Sequence, residues 1–153
     1  MGKIKNPELE QFLEDDPGDL SIDETDLNRE MAMQPANFYY FAGKAVDAER
    51  EYELMKQKLG QMRAEVERRI RQKYLESGAK MPTIQGIESE VSTNPGIVAM
   101  EIQLVNLKGR MGMAKALKDA WFSRKDMLNE IAKNKRHEIE TIKSSFVKES
   151  SMS

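Results

Sequence analysis

Between Phe38 and Val66 an apolar residue returns at alternating steps of three and four. The series Phe38, Phe41, Ala45, Ala48, Tyr52, Met55, Leu59, Met62 and Val66 fills nine consecutive a/d positions of a heptad. That is the spacing of a coiled-coil seam, and a strand, with its period of two, cannot use it. After Val66 the steps to Ile70 and Tyr74 are both four, a stutter that relaxes a left-handed supercoil. As one helix, the stretch from Pro35 to Ser77 would run about 65 Å at ~1.5 Å per residue. A compact globule of this chain length is only roughly 40 Å across. The molecule is therefore expected to be elongated and to need partner helices along the seam.

A second long helix is expected from Pro95. Asn94-Pro95 is a strong start signal, a capping residue followed by proline in the first turn. Its seam reads Ile97, Met100, Leu104, Leu107, Met111, Ala114, Leu117 and Trp121, then loosens towards Leu128 and Ile131. Between the long helices, Gly78 suits a left-handed C-cap, and Thr83 can cap a short helix carrying Ile84, Ile87 and Val91 on one face. Ser21 and Glu24 fit a capping box for a short helix from Ile22 to Met33. Pro35 then either starts the long helix or kinks one continuous helix. Gly109 and Gly112 mark either a close approach of another backbone or a weak point in the second helix. The expected fold class is all-α: an elongated, coiled-coil-like antiparallel helical hairpin with short flanking helices, assembled into an oligomer. Residues 1–20 read as a mobile arm, 21–143 as one helical domain with long helices over about 35–77 and 95–143, and 144–153 as a frayed polar tail.

Charged residues make up 33% of the 153 residues and aromatics 7%, which suits long solvated helices better than a thick core. The chain has no cysteine, which excludes disulfide and thiolate chemistry. No apolar run approaches the ~20 residues of a membrane span and no signal-peptide pattern opens the chain. A soluble, cytoplasmic protein without membrane contact is expected. The net charge of −2 is unevenly spread: residues 1–28 carry nine acidic and two basic groups, and the remainder 17 acidic and 22 basic. The acidic arm is either a solubilising tail or a competitor for the basic body.

An enzyme is not expected. His137 is the only histidine, and His137-Glu138 lacks the second histidine of a zinc-binding HExxH at Thr141. Ser145 to Lys148 spells S-x-x-K in a polar tail without companion motifs. Asp19 to Glu30 offers oxygens at calcium-loop spacing, but Glu24 stands where the turn needs glycine. No cofactor or metal is expected.

Two basic clusters remain. Arg63, Arg68, Arg69, Arg71 and Lys73 crowd the end of the first long helix. They read either as a solvated helix end, with Glu65–Arg69 and Glu67–Arg71 as i,i+4 pairs, or as contacts to a phosphate backbone. The second cluster runs from Arg124 and Lys125 to Lys133, Lys135 and Arg136, within a stretch 104–148 of eleven basic and five acidic groups. Tyr74, Trp121 and Phe122 could stack on unpaired bases, although Trp121 lies on the seam and reads as core. Tyr39 and Tyr40 read as subunit contacts in preference to base stacking.

The order of a capped short helix (Ser21-Ile22-Asp23-Glu24), a long helix ending Arg69-Ile70-Arg71-Gln72-Lys73-Tyr74, a turn, and a second helix containing Trp121-Phe122-Ser123-Arg124-Lys125-Asp126-Met127-Leu128 resembles the UvsY-type recombination mediators of tailed bacteriophages. The resemblance covers roughly residues 21–140. It implies a small helical protein that binds single-stranded DNA, forms rings and helps load a RecA-like recombinase onto DNA covered by single-strand binding protein. It also implies DNA contacts at Arg69, Arg71 and Tyr74, with Arg68 and Lys73 beside them, and at Arg124 and Lys125. The alternative is a structural coiled-coil scaffold or adaptor with no nucleic-acid role.

Overall fold

The computed structural model describes residues 20–152, and the acidic arm before Leu20 lies outside them. Every regular element among the described residues is helical: α1 (Leu27–Ser77), α2 (Ile84–Thr93) and α3 (Pro95–Ser151).

Local chemistry explains where these helices begin and end. Asp26 caps α1, its Oδ1 accepting from Arg29 N at 3.3 Å, so it ties up one of the free donors of the first turn. Just before it, the Asp23 carboxylate accepts from Thr25 N at 2.9 Å and from the Thr25 hydroxyl at 2.5 Å, a local turn that holds the chain out of helical geometry. The capping box expected at Ser21 and Glu24 is therefore replaced by Asp26, and α1 starts at Leu27. Pro35 does not begin the long helix; it lies inside α1. Its ring cannot donate to the carbonyl four residues back, a loss that an interior helix tolerates only with tertiary support. Gln34 and Phe41, buried on either side of it, supply that support.

At the other end Gly78 takes φ 68°, the left-handed conformation that a glycine adopts without strain. Thr83 Oγ1 then accepts from Gly86 N at 3.1 Å to cap α2. Asn94 serves two helices. Its N–H donates to Val91 O at 3.1 Å to close α2, while its Oδ1 accepts from Gly96 N at 2.9 Å and Ile97 N at 3.3 Å to open α3. Gly96 lies against the methyl end of Met62, a flexible tip that would have to move aside for a side chain there. α3 continues to Ser151 rather than ending near 143, and its residues from His137 onward are exposed.

The described chain forms two compact units. One holds the chain up to Gly43 and from Lys115 onward; the other is Lys44–Ala114. In the second unit Leu59, Val66, Ile87, Val91 and Ile97 form the buried cluster, with Met62, Ile70 and Leu104 packed on it. The apolar face of α2 thus closes over the facing seams of α1 and α3. The long helices run antiparallel here: Arg63 pairs with Glu101, and Arg110 reaches back to Glu51 at 3.3 Å. In the first unit Trp121 stacks on Phe41, with ring centroids 5.2 Å apart and planes 10° from parallel, and Leu128 is also buried.

All nine seam positions of α1 are buried or half-buried within this single chain, and so are Leu104, Leu107, Met111 and Trp121 of α3. Cover for the seam comes from within the chain, from Trp121 at Phe41 and from α2 and α3 around Leu59 and Val66. By contrast Tyr39 and Tyr40 are exposed. No helix among the described residues is long and apolar enough to cross a membrane.

Ile97 has no exposure at all, so Ile97→Ala should cost about 2–5 kcal/mol. Asn94→Ala, which removes a cap and keeps the core, should cost about 1 kcal/mol. Urea unfolding followed by circular dichroism will rank them; equal losses would mean that the junction between α2 and α3 is held by its cap alone.

Candidate nucleic-acid interface

The basic end of α1 belongs to the second unit. Arg69 pairs with Glu65, and Arg71 reaches Glu67 through Nη2 at 2.9 Å and Nε at 3.1 Å. Both are i,i+4 pairs on a helix surface, each worth only a few tenths of a kcal/mol and easily exchanged for another anion. Tyr74 is committed elsewhere. Its hydroxyl donates to Glu90 Oε1 at 2.5 Å, which links α1 to α2 and raises the phenol pKa above its ordinary value. Tyr74 therefore serves the fold at this junction. Arg68 and Lys73 are exposed, and no carboxylate partner stands beside either among the described residues.

The second cluster is divided by its own helix geometry. Arg124, expected to contact DNA, is buried. Its Nε donates to Leu20 O at 3.2 Å, its Nη1 to Gln34 Oε1 at 2.9 Å, and its Nη2 to Ser21 O at 2.7 Å and to Glu30 Oε2. Its guanidinium carbon lies 5.1 Å from the centroid of the Trp121 ring. Four of its five donors (the full complement of a guanidinium) are spent inside the chain. The place of Arg124 is structural, and the expectation of a phosphate contact there is corrected. Gln34 completes the layer, its Nε2 donating to Trp121 O at 2.5 Å. At the surface, Lys135 is also engaged within the chain, donating to the carbonyl of Glu24.

The neighbours of these anchored residues face out. Phe122 follows buried Trp121 and is 51% exposed. Lys125 follows buried Arg124, and its Nζ sits 4.5 Å from the centroid of the Phe122 ring. Phe38 supports the same ring from α1 at 5.9 Å. Lys118, four residues before Phe122, shares its side of α3. Lys133 and Arg136, the next basic residues at helical spacing, are exposed. The result is a lysine-flanked aromatic surface. Lys118 was missed in the sequence reading, where Phe122 already stands as a candidate stacking ring; the signal for it was Lys-x-x-x-Phe-x-x-Lys.

Glu30 connects this layer to pH. Its carboxyl is held below the ordinary glutamate value of 4.5, first by the hydrogen bond from Arg124 and then by the Asp23 N–H at 3.2 Å. A carboxyl with a depressed folded pKa adds stability above its unfolded pKa and loses it as pH falls through the folded one. The first unit should therefore weaken as the pH drops below about 4.5. Glu30→Gln should be less stable at neutral pH and should lose less on acidification. Thermal melts between pH 7 and pH 3 test this; parallel pH profiles for the two proteins would contradict it.

No family model matches the sequence, and no curated protein or solved structure is detectably similar to it.

Proposed function

We propose that this chain is a non-enzymatic, self-associating single-stranded DNA-binding protein of the UvsY recombination-mediator type. The observation that carries the reading is the exposed ring of Phe122 between Lys118 and Lys125 on α3. Lysines on either side of the ring can neutralise backbone phosphates, and the aromatic ring between them offers a face to an unpaired base. Arg68, Arg69 and Lys73 offer a second cationic surface at the end of α1. In this reading the long helices act as a coiled-coil-like pair within a homo-oligomer. A RecA-like recombinase and a single-strand binding protein are the partners that the sequence resemblance brings, and the cytoplasm of the host cell is the setting.

A second reading, a coiled-coil scaffold or adaptor without nucleic acid, draws on the apolar side chains that the long helices leave exposed, among them Leu54, Ile102 and Val105.

Fluorescence anisotropy with a labelled oligo-thymidine separates the two. Binding should fall steeply with salt. Lys118→Ala with Lys125→Ala should weaken it and flatten the salt slope by about two, near one per lost phosphate contact. Phe122→Ala should cost about 1–3 kcal/mol of binding with the slope unchanged. A chain that ignores the oligonucleotide at low salt is the scaffold.

A further inference from the structure

Val98, Ile102, Val105, Gly109 and Gly112 recur on α3 at steps of four, three, four and three. They form a second heptad stripe, turned away from the seam that meets α1. All five lie in the second unit. Val98, Ile102 and Val105 are 40%, 58% and 69% exposed, and a Cβ built on Gly109 or Gly112 meets nothing within 4 Å. Glycine is the weakest helix former after proline, and nothing in this chain requires glycine at either position.

The stripe is bulky at one end and bare at the other. Reversed on itself it is self-complementary. With a two-fold axis near residue 107, Ile102 faces the partner's Gly112 and Val105 faces the partner's Gly109, and the same contacts repeat in the other direction. A parallel in-register pairing would instead set bulk against bulk and glycine against glycine. Two-fold symmetry demands a surface that matches its own reverse, and this stripe meets that demand by size.

We propose that a second copy of this chain packs antiparallel on this face of α3, with Val105 seated on the partner's Gly109. The pairing gives the self-association of the functional reading a surface. It involves no DNA, so a chain that ignores the oligonucleotide would still pair. A stripe this short buries less than the roughly 800 Å² per partner of a standard interface, so the pairing is expected to depend visibly on concentration.

Because the chain has no cysteine, single introduced cysteines report the geometry. Position 108 lies beside the axis, whereas position 99 would sit about 24 Å from its counterpart along the helices, at ~1.5 Å per residue. On the full chain, a short bis-maleimide should capture Lys108→Cys as a covalent dimer and leave Ala99→Cys monomeric. Equal capture at both positions would mean parallel pairing and overturn the proposal. Sedimentation velocity over a concentration series supplies the second arm. Gly109→Leu should weaken self-association about ten-fold or more while the melting temperature holds or rises, because its side chain enters open space in the single chain. Gly60→Leu, also in open space but on α1, should leave association unchanged. A wild-type chain that stays monomeric, or a Gly109→Leu chain that associates normally, would sink the idea.

Discussion

The first unit depends on one buried charge. Withdrawing a guanidinium from water costs several kcal/mol even after the protein relaxes, so Arg124 can be buried only where its donors are met. Here they are met by the carboxylate of Glu30, the amide of Gln34 and the carbonyls of Leu20 and Ser21, and the Trp121 ring lies beside the guanidinium plane. Hydrophobic seams pack almost equally well when slipped by a heptad. This layer does not. A slip of seven residues would set Leu27 or Phe41 where Gln34 stands and leave a buried cation without its acceptor. The layer therefore acts as a register pin for α1 against α3, the best-attested use of a polar seam position. It also draws the strand of chain before α1 onto α3.

The same pin shapes the proposed interface. Adjacent residues on a helix point about 100° apart. With Trp121 and Arg124 fixed inward, their successors Phe122 and Lys125 are fixed outward, and Phe38 backs the exposed ring. The sequence feature that stabilises the fold thus presents the aromatic and the lysine at a defined spacing. The end of α1 shows a looser version of the same economy: Tyr74 is spent on Glu90, and Arg68 and Lys73 are left facing water.

Much of the helical framework was legible in the residues alone. The heptad from Phe38 to Val66 marks the face that is buried, and Gly78, Thr83 and Asn94-Pro95 mark boundaries through short-range chemistry that needs no tertiary context. The start of α1 was misread because Ser21 and Asp26 both suit a cap. The Asp23–Thr25 turn and the bond from Arg124 to the Ser21 carbonyl decide in favour of Asp26. Pro35 gives a stop signal that packing on either side overrides. Arg124 was the largest error of the site. In a run of basic residues it reads as surface, yet it fills the gap in the α3 seam between Trp121 and Leu128, and Gln34 extends the α1 seam four residues before Phe38. Each polar residue looked like an interruption by itself; the meaning lies in their pairing, which no single helix pattern displays.

The register-pin account is tested most directly by a double-mutant cycle on Gln34→Leu and Arg124→Met, with unfolding free energies taken from urea titrations of the wild type, both single variants and the double variant. Residues that form one buried layer should couple, and the double variant should be less damaged than the sum of the singles by about 1 kcal/mol or more. Effects that add to within about 0.5 kcal/mol would show that Arg124 and Gln34 are buried independently, and that the apolar seam alone sets the register.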